Sequence, residues 1–330
     1  MSHGAATDPL HPADRLEPQP PWPDLRLVTA ATLDRLGIDP ARPAADGMLP
    51  FRRVRKGIYV CGPADLPPEE ILLLRAYAVA AAAGGTPLFS HHTAAAAWGI
   101  PTIGRRPALI EHITAAGTTG RTPGVRRRRA QEIPNGVEVN GLMVTAPDRT
   151  VIDLAREVPL ESGLAAADHA LRERLCTTQD LRDQVDLLKP GARGRRKARL
   201  VIRLADAGSE SVGESLSRAR MFQLGIPRPV LQVRFDDEDG FIGRVDFWWE
   251  ELGLIGEFDG RLKYRATPQL TAEQASQVLW KEKLREDRLR GGGRRRVARW
   301  VWNDALDSMQ YQEVMRRHGL RTDAHETWDI

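Results

Sequence analysis

Three acidic residues interrupt two hydrophobic segments in the C-terminal third of the chain. In the stretch GRVDFWWEELGLIGEFDG, Asp246 lies between Val245 and Phe247, and Glu257 and Asp259 flank a phenylalanine. Strands favour β-branched and aromatic residues at such positions. A buried, unpaired carboxylate costs several kcal/mol, so these acids need a cation, hydrogen-bond donors or a metal.

The surrounding sequence predicts a helix, a three-stranded meander, a second helix and a final strand. The first helix is SESVGESLSRARMFQLGIP, and the three strands are PVLQVRF, FIGRVDFWW and LIGEFDG. Between the first two strands, Asp239 and Gly240 form a strong hairpin signal. EQASQVLWKEKLREDRLRGGG then predicts a long helix that ends at glycines, and RRRVARWVW predicts the last strand. The predicted fold class is therefore α/β (α+β), with a C-terminal αβββαβ core.

This meander is expected to bring the acids together. Alternate residues of a strand share a face, so Glu257 and Asp259 point the same way, and the hairpin places Asp246 beside them. Oxygen ligands of this kind suit Mg²⁺ or Mn²⁺, and Asp246 and Glu257 are the predicted metal ligands. Such a cation would polarise a phosphodiester and activate water. Glu214, on the preceding helix, and Lys263 are the predicted supporting residues.

The same residues resemble the small domains related to very-short-patch-repair endonucleases, within the PD-(D/E)xK nuclease superfamily. The resemblance covers about residues 209 to 305 and includes the later EKLREDRLRGGGRRRVARWVW. It implies a restriction-endonuclease-like core and metal-dependent cleavage of DNA. The implied catalytic residues are Glu214, Asp246, Glu257, Asp259 and Lys263. Asp259 stands where the superfamily has lysine, and Lys263 stands at about the place of a histidine in the repair-endonuclease branch, which puts cleavage in doubt.

The front half carries a second resemblance. The segments FRRVRKGIYV, LFSHHTAAAAWGIP and VTAPDRTVIDLARE are similar to actinobacterial proteins related to type IV abortive-infection antitoxins. This resemblance implies DNA binding or autoregulation and adds a cognate toxin as a partner. Two functions therefore stay open: a Mg²⁺-dependent DNA endonuclease, or a catalytically inert DNA-binding regulator. In the second case Arg244, Arg261 or Arg285 would neutralise the acids.

Basic residues are clustered along the chain, which has a formal net charge of +4 and a pI of about 9.3. The clusters are FRRVRK, VRRRRA, RGRRKARLVIR and GGGRRRVAR. Arg196, Arg199 and Arg203 lie on one predicted helical face, and Arg294 and Arg295 belong to the last cluster. These five arginines are the predicted contacts to duplex DNA phosphates, and a merely solvated surface is the alternative.

The predicted organisation has four parts. Residues 1–24 are a disordered arm, 25–64 a winged-helix-like segment, 65–207 a mixed α/β middle region and 208–320 a restriction-endonuclease-like domain. His91 and His92 are adjacent at a predicted helix start, which favours a capping role over metal binding.

Composition excludes several classes of protein. Cys61 and Cys176 are far apart and have no CxxC partner, which argues against a disulfide framework or a cysteine zinc site. No apolar run is long enough to span a membrane, and the N-terminus lacks a signal-peptide pattern. A soluble cytoplasmic protein without a membrane partner is the expectation, and the oligomeric state is open.

Overall fold

The computed structural model describes residues 16–22, 24–40, 51–62, 66–104, 108–115, 122–260 and 272–328. Within these residues, eleven α-helices and three β-sheets form a mixed α/β fold, which confirms the predicted class. The residues form two compact units. The first lies within Met1–Ile100 and Arg105–Leu154, and the second within Pro101–Gly104 and Ala155–Ile330. The predicted domain limits remain predictions.

The first sheet has three antiparallel strands in the order β1-β3-β2, with a short helix between β1 and β2 in sequence. Its elements are β1 (Arg26–Thr29), α1 (Ala30–Arg35), β2 (Phe51–Arg55) and β3 (Ile58–Cys61). Thr29 caps α1, because Thr32 N donates to Thr29 Oγ1 at 2.9 Å. The sequence did not predict β1.

The predicted disordered arm lies mostly outside the described residues. Its described part, residues 16–22, contacts β1 through a glutamine side chain. Leu27 N donates to Gln19 Oε1 at 2.9 Å, and Gln19 Nε2 donates to Leu27 O at 3.0 Å. This segment therefore extends the first unit.

The second sheet has five strands in the order β6-β5-β4-β8-β7. They are β4 (Leu88–Phe89), β5 (Ile110–Ala115), β6 (Val125–Ala130), β7 (Gly136–Val139) and β8 (Leu142–Thr145). The segment VEVNGLMVT forms a hairpin of β7 and β8. Asn140 and Gly141 form its two-residue turn with φ angles of 50° and 80°, and positive φ at both positions is what a tight hairpin turn requires.

Further helices precede the C-terminal core in the sequence. They are α2 (Pro68–Ala81), α3 (His91–Trp98), α4 (Pro147–Glu157), α5 (Leu160–Arg172), α6 (Thr178–Asp186) and α7 (Arg195–Leu204). Among the described residues, no helix is both long and apolar enough to cross a membrane.

The C-terminal core has the predicted αβββαβ order. Its elements are α8 (Val212–Gln223), β9 (Val230–Asp237), β10 (Gly240–Trp249), β11 (Leu254–Asp259), α9 (Ala272–Arg290) and β12 (Arg296–Val301). β9, β10 and β11 form the antiparallel meander, and β12 pairs parallel to β11 at the other edge. Two further helices, α10 (Trp302–Leu306) and α11 (Ser308–Arg317), follow this core.

Aromatic residues fill one face of this four-stranded sheet. Phe247 stacks on Trp300 with ring centroids 5.3 Å apart, and Trp300 Nε1 donates to Ser217 Oγ at 2.7 Å. Gly256 is required at this place, because a Cβ there would lie 2.7 Å from Trp300 and 2.9 Å from Trp249. This packing holds β11 and β12 in place. The end of β11 carries Glu257 and Asp259, and β12 carries Arg299 beside them.

Candidate functional site

The three strand acids meet at one small cavity of about 250 Å³ in the second unit. Asp246 comes from β10, whereas Glu257 and Asp259 come from β11, two residues apart on one side of the strand. Phe258 N donates to Asp246 Oδ2 at 2.8 Å, which ties the two strands together at this point. The predicted convergence of these acids is therefore present in the structure, whereas their catalytic roles remain predictions.

Asp246 is an unusual carboxyl. Burial, together with the nearby charges of Glu214 and Glu257, raises its pKa to about 7, although the hydrogen bond from the Phe258 N–H has a lowering effect. At neutral pH about half of the Asp246 carboxyls carry a proton. A carboxyl that titrates near pH 7 can both donate and accept a proton in this cavity.

Glu214 supports the start of α8. Its backbone N donates to Ser211 Oγ at 3.2 Å, and its carboxylate accepts from Glu210 N and Gln232 Nε2, both at 2.9 Å. The side chain is buried, which raises its pKa. Glu214 therefore closes the helix cap and lies close enough to Asp246 to affect its charge. It does not line the cavity itself.

Glu257 is held by two arginines. Arg285 Nη2 lies 2.7 Å from Glu257 Oε1, and Arg299 Nε lies 2.8 Å from Oε2. Arg299 also contacts Glu282 at 2.7 Å and Glu286 at 2.8 Å. Both carboxylate oxygens of Glu257 are thus engaged by guanidinium groups, in the kind of paired network that makes a buried acid tolerable.

Of the arginines that the sequence offered as partners for the acids, Arg285 pairs with Glu257. Arg244 instead forms an ion pair with Glu210. Arg261 and the predicted phosphate-binding Lys263 lie outside the described residues.

The two predicted metal ligands, Asp246 and Glu257, are already engaged within the protein by part of their carboxylate oxygens. Hard cations need several free carboxylate oxygens, but both oxygens of Glu257 are in ion pairs and Asp246 Oδ2 already accepts a backbone N–H. Within the described part of the chain, no group of three or more His, Cys, Asp or Glu residues is placed to hold a metal ion. The Mg²⁺ or Mn²⁺ site remains a prediction.

The predicted DNA-binding arginines lie in two environments. Arg196, Arg199 and Arg203, on α7, line a second cavity. Arg295, by contrast, is used internally: its Nε donates to Leu289 O at 2.6 Å, and its guanidinium lies 4.8 Å from the Phe235 ring centroid.

Arg294 is exposed, and its Nε donates to Gly291 O at 3.0 Å. Two arginines of the GGGRRRVAR cluster therefore donate hydrogen bonds to backbone carbonyls at the C-terminal end of α9. The phosphate contacts of Arg294 and Arg295 remain a prediction.

Comparison with known proteins finds a family model and a relative that are similar to parts of the chain. Residues 88–203 match the model of the AbiEi antitoxin C-terminal domain. An uncharacterized protein of Mycobacterium tuberculosis, found in two strains, is 31% identical over 217 residues, which cover 66% of this chain and 76% of the relative. The chain belongs to the same family as this mycobacterial protein. The antitoxin resemblance expected from the sequence is supported, and none of these matches supports the nuclease resemblance.

The matched segment, residues 88–203, contains a buried carboxylate that the sequence did not single out. Glu111 of β5 accepts from His92 Nδ1 at 3.1 Å and from Arg128 Nη2 at 2.5 Å. Its carboxylate also accepts from His92 N at 3.2 Å, which satisfies one free N–H at the start of α3. Glu111 therefore caps the His92 N–H at the start of α3, and the capping role of the histidine pair remains a prediction. In the sequence, the buried carboxylate was indicated by a single acidic residue within the largely apolar segment ALIEHIT.

A second overlooked acid lies in helix α5, which is also within the matched segment. Asp168 is completely buried among alanines in the segment LAAADHAL. It pairs with Arg218, whose Nη1 lies 2.8 Å from Asp168 Oδ2. An acid inside an alanine-rich helix was the available signal, because such a residue needs a buried partner.

Proposed function

We propose that this protein is an AbiEi-type, antitoxin-like regulator that binds duplex DNA. The observation that carries the proposal is the match of residues 88–203 to the AbiEi antitoxin C-terminal domain. The relationship to the mycobacterial protein extends over 217 residues, beyond the length of that match. The corresponding role is to counteract a cognate toxin.

The β2–β3 hairpin of the first unit is the proposed DNA contact. Its sequence FRRVRKGIYVC contains four cations and no acid. Arg53 on β2 and Lys56 in the turn are exposed, and neither side chain has an ion-pair partner among the described residues. Gly57, with φ of 78°, closes the turn. A basic hairpin of this form suits contact with the phosphates of a duplex, as in the wing of a winged helix.

DNA binding is tested by fluorescence anisotropy with a duplex from the protein's own promoter region. The double substitution Arg53→Glu and Lys56→Glu should weaken binding. The slope of log affinity against log salt should fall by roughly 0.9 for each phosphate that the variant no longer neutralises. Arg316→Glu, on α11, is a control of the same type at an exposed arginine. Equal affinity and equal salt slope in the hairpin variant would refute this contact.

The antitoxin role is tested by co-expression. Growth of cells that express a candidate cognate toxin should recover when the full chain is present. A chain that carries the hairpin substitutions separates regulation from neutralisation, because neutralisation by the AbiEi-type domain should survive without DNA binding. Absence of rescue by the intact, expressed chain would contradict the antitoxin role.

Phosphodiester hydrolysis is the second candidate function, and one observation favours it. Asp246, with a pKa of about 7, faces a cavity that also contains the guanidinium groups of Arg285 and Arg299. A proton-transferring carboxyl beside cations is the chemistry that phosphodiester cleavage uses. The test is a plasmid-nicking assay with Mg²⁺ or Mn²⁺, in which Asp246→Asn should abolish activity. Equal nicking by both proteins would show that the cut comes from a contaminant.

A further inference from the structure

An arginine-rich cavity lies between α6 and α7 of the second unit, away from the strand acids. Its volume is about 610 Å³. The residues that line it are Gln179, Arg182, Val185, Asp186, Arg196, Arg199, Ile202 and Arg203. Cavities of this size accommodate small organic ligands.

The charges around this cavity are unbalanced. Asp186 is the only acid in its lining, and it accepts from Arg199 Nη2 at 2.8 Å and from Arg195 Nη2 at 3.2 Å. The other three lining arginines form no ion pair with any described residue. These are Arg182, Arg196 and Arg203. Three guanidinium groups that face one space repel each other, and a multiply charged anion would relieve this repulsion.

The spacing of these arginines follows from the two helices. Arg196, Arg199 and Arg203 are three and four residues apart, so they share one face of α7. Arg182 belongs to α6. Guanidinium groups from two helices can therefore bind different oxygens of the same anion, with the fork geometry that phosphates prefer.

The floor of the cavity is apolar. Val185 and Ile202 are buried and line it, at 2% and 5% exposure. Contact with a duplex backbone needs cations but no apolar floor. A ligand with an apolar or planar part as well as phosphates would use both features of the cavity, and the Gln179 amide can hydrogen-bond to such a part.

We propose that this cavity binds an organic oligophosphate of about the size of a nucleoside triphosphate. The phosphates contact Arg182, Arg196 and Arg203, and the organic part lies on Val185 and Ile202. For the arginines of α7, this assignment replaces the duplex DNA that the sequence predicts. An acidic helix of a partner protein fits less well, because it would need an apolar groove several turns long.

Isothermal titration of the full chain tests the ligand class with three probes: ATP, inorganic tripolyphosphate and adenosine. ATP should bind saturably, tripolyphosphate should bind more weakly, and adenosine should give no saturable heat. Affinity should fall as salt is raised, because the contacts are ionic. Absence of ATP binding at millimolar concentration would overturn the proposal. Equal affinity for ATP and tripolyphosphate would also overturn it, because the apolar floor would then have no role.

Substitutions locate the site. Arg182→Gln and Arg203→Gln should each weaken ATP binding on the order of tenfold or more, since each removes a charged hydrogen bond. The control is Arg316→Gln with Arg317→Gln, which removes two exposed positive charges from α11. ATP affinity should be unchanged in this control, and circular dichroism confirms that all variants are folded. Equal ATP affinity in the cavity variants and the control would overturn the assignment.

A binding measurement with duplex DNA distinguishes this site from the proposed DNA contact. The cavity variants should bind promoter duplex as well as the original chain does, since that contact is assigned to the β2–β3 hairpin. Weakened duplex binding in the cavity variants, together with unchanged ATP affinity, would overturn the oligophosphate assignment and restore duplex DNA as the ligand of α7. Failure of the hairpin variant to lose DNA affinity would affect only the proposed DNA contact.

Discussion

Arg218 and Asp168 form an ion pair in the core of the second unit, with 2.8 Å between Nη1 and Oδ2 and side-chain exposures of 2% and 0%. Asp168 also accepts from Ser215 Oγ and Asp206 N, both at 2.8 Å. Arg218 Nη2 donates to Leu204 O at 2.5 Å. This polar cluster connects α5 to α8, the first helix of the C-terminal core.

Removal of this arginine should strongly destabilise the protein. Arg218→Met leaves the buried Asp168 carboxylate without its cation, and we expect the free energy of unfolding to fall by about 3–5 kcal/mol. Urea denaturation measures the loss. Arg316→Met, at an exposed position on α11, should change stability by less than about 0.5 kcal/mol. Adding Asp168→Asn to Arg218→Met should recover part of the loss, and no recovery would contradict this account.

The order of elements in the C-terminal core was predictable because its signals are local. Alternating hydrophobic residues define β9 and β10, and the Asp239–Gly240 pair marks the turn between them. The parallel pairing of β11 with β12 is not local, because a long helix separates the strands. The sequence predicted both strands but not their adjacency.

Elsewhere the sequence signals were incomplete. Asn140 and Gly141 form a hairpin turn, but the apolar residues on both sides resembled one continuous strand. β6, with its run of arginines, suggested only a charge cluster, although it pairs in register with β5. The convergence of the acids was predicted, since it depends on strand alternation. The Glu257–Arg299 pair joins residues 42 positions apart, and charge alone does not select that arginine among many.

Loss of Glu111 should make the stability of the chain less sensitive to acid. Burial raises the pKa of Glu111, but the contacts with His92, His91 and Arg128 lower it by more, to about 2. An acid whose pKa is lower in the folded protein than in the unfolded chain stabilises the fold at pH values above the unfolded-state pKa. This stability is lost as pH falls from about 4.5 to about 2. At pH 7, Glu111→Gln should therefore cost on the order of 3 kcal/mol. The measurement is urea denaturation at several pH values.

The control for this series is Glu138→Gln, an exposed acid on β7 of the same sheet. The Glu111→Gln difference should shrink steadily below pH 4, whereas the control should differ little from the original chain at any pH. A difference that stays constant down to pH 2.5 would mean that packing, rather than the ion network, accounts for the loss.

The arginine pair at Glu257 should contribute to stability as a unit. Arg285→Met leaves Glu257 with Arg299 alone, and we expect a loss of about 1–2 kcal/mol in the free energy of unfolding. Glu257→Gln should cost a similar amount. The double variant should lose less unfolding free energy than the two single variants lose together, because each change removes the same interaction. Simple additivity in urea denaturation would show that the 2.7 Å contact contributes nothing to stability.

Asp246 should limit the stability of the protein at neutral and alkaline pH. Burial, together with Glu214 and Glu257, raises its folded pKa from about 3.8 to about 7. Between these two values the folded state binds more protons than the unfolded state, so stability falls as pH rises. Above pH 7 the full cost, on the order of 4 kcal/mol, is present.

Asp246→Asn removes this titration and retains an oxygen that can accept from Phe258 N. We therefore expect the variant to gain stability over the original chain as pH rises from 4 to 8. Thermal denaturation across this range measures the difference, with Glu251→Gln, an exposed residue in the turn after β10, as the control. A gain independent of pH would show that Asp246 does not titrate near neutrality and would remove the main support for proton transfer at this cavity.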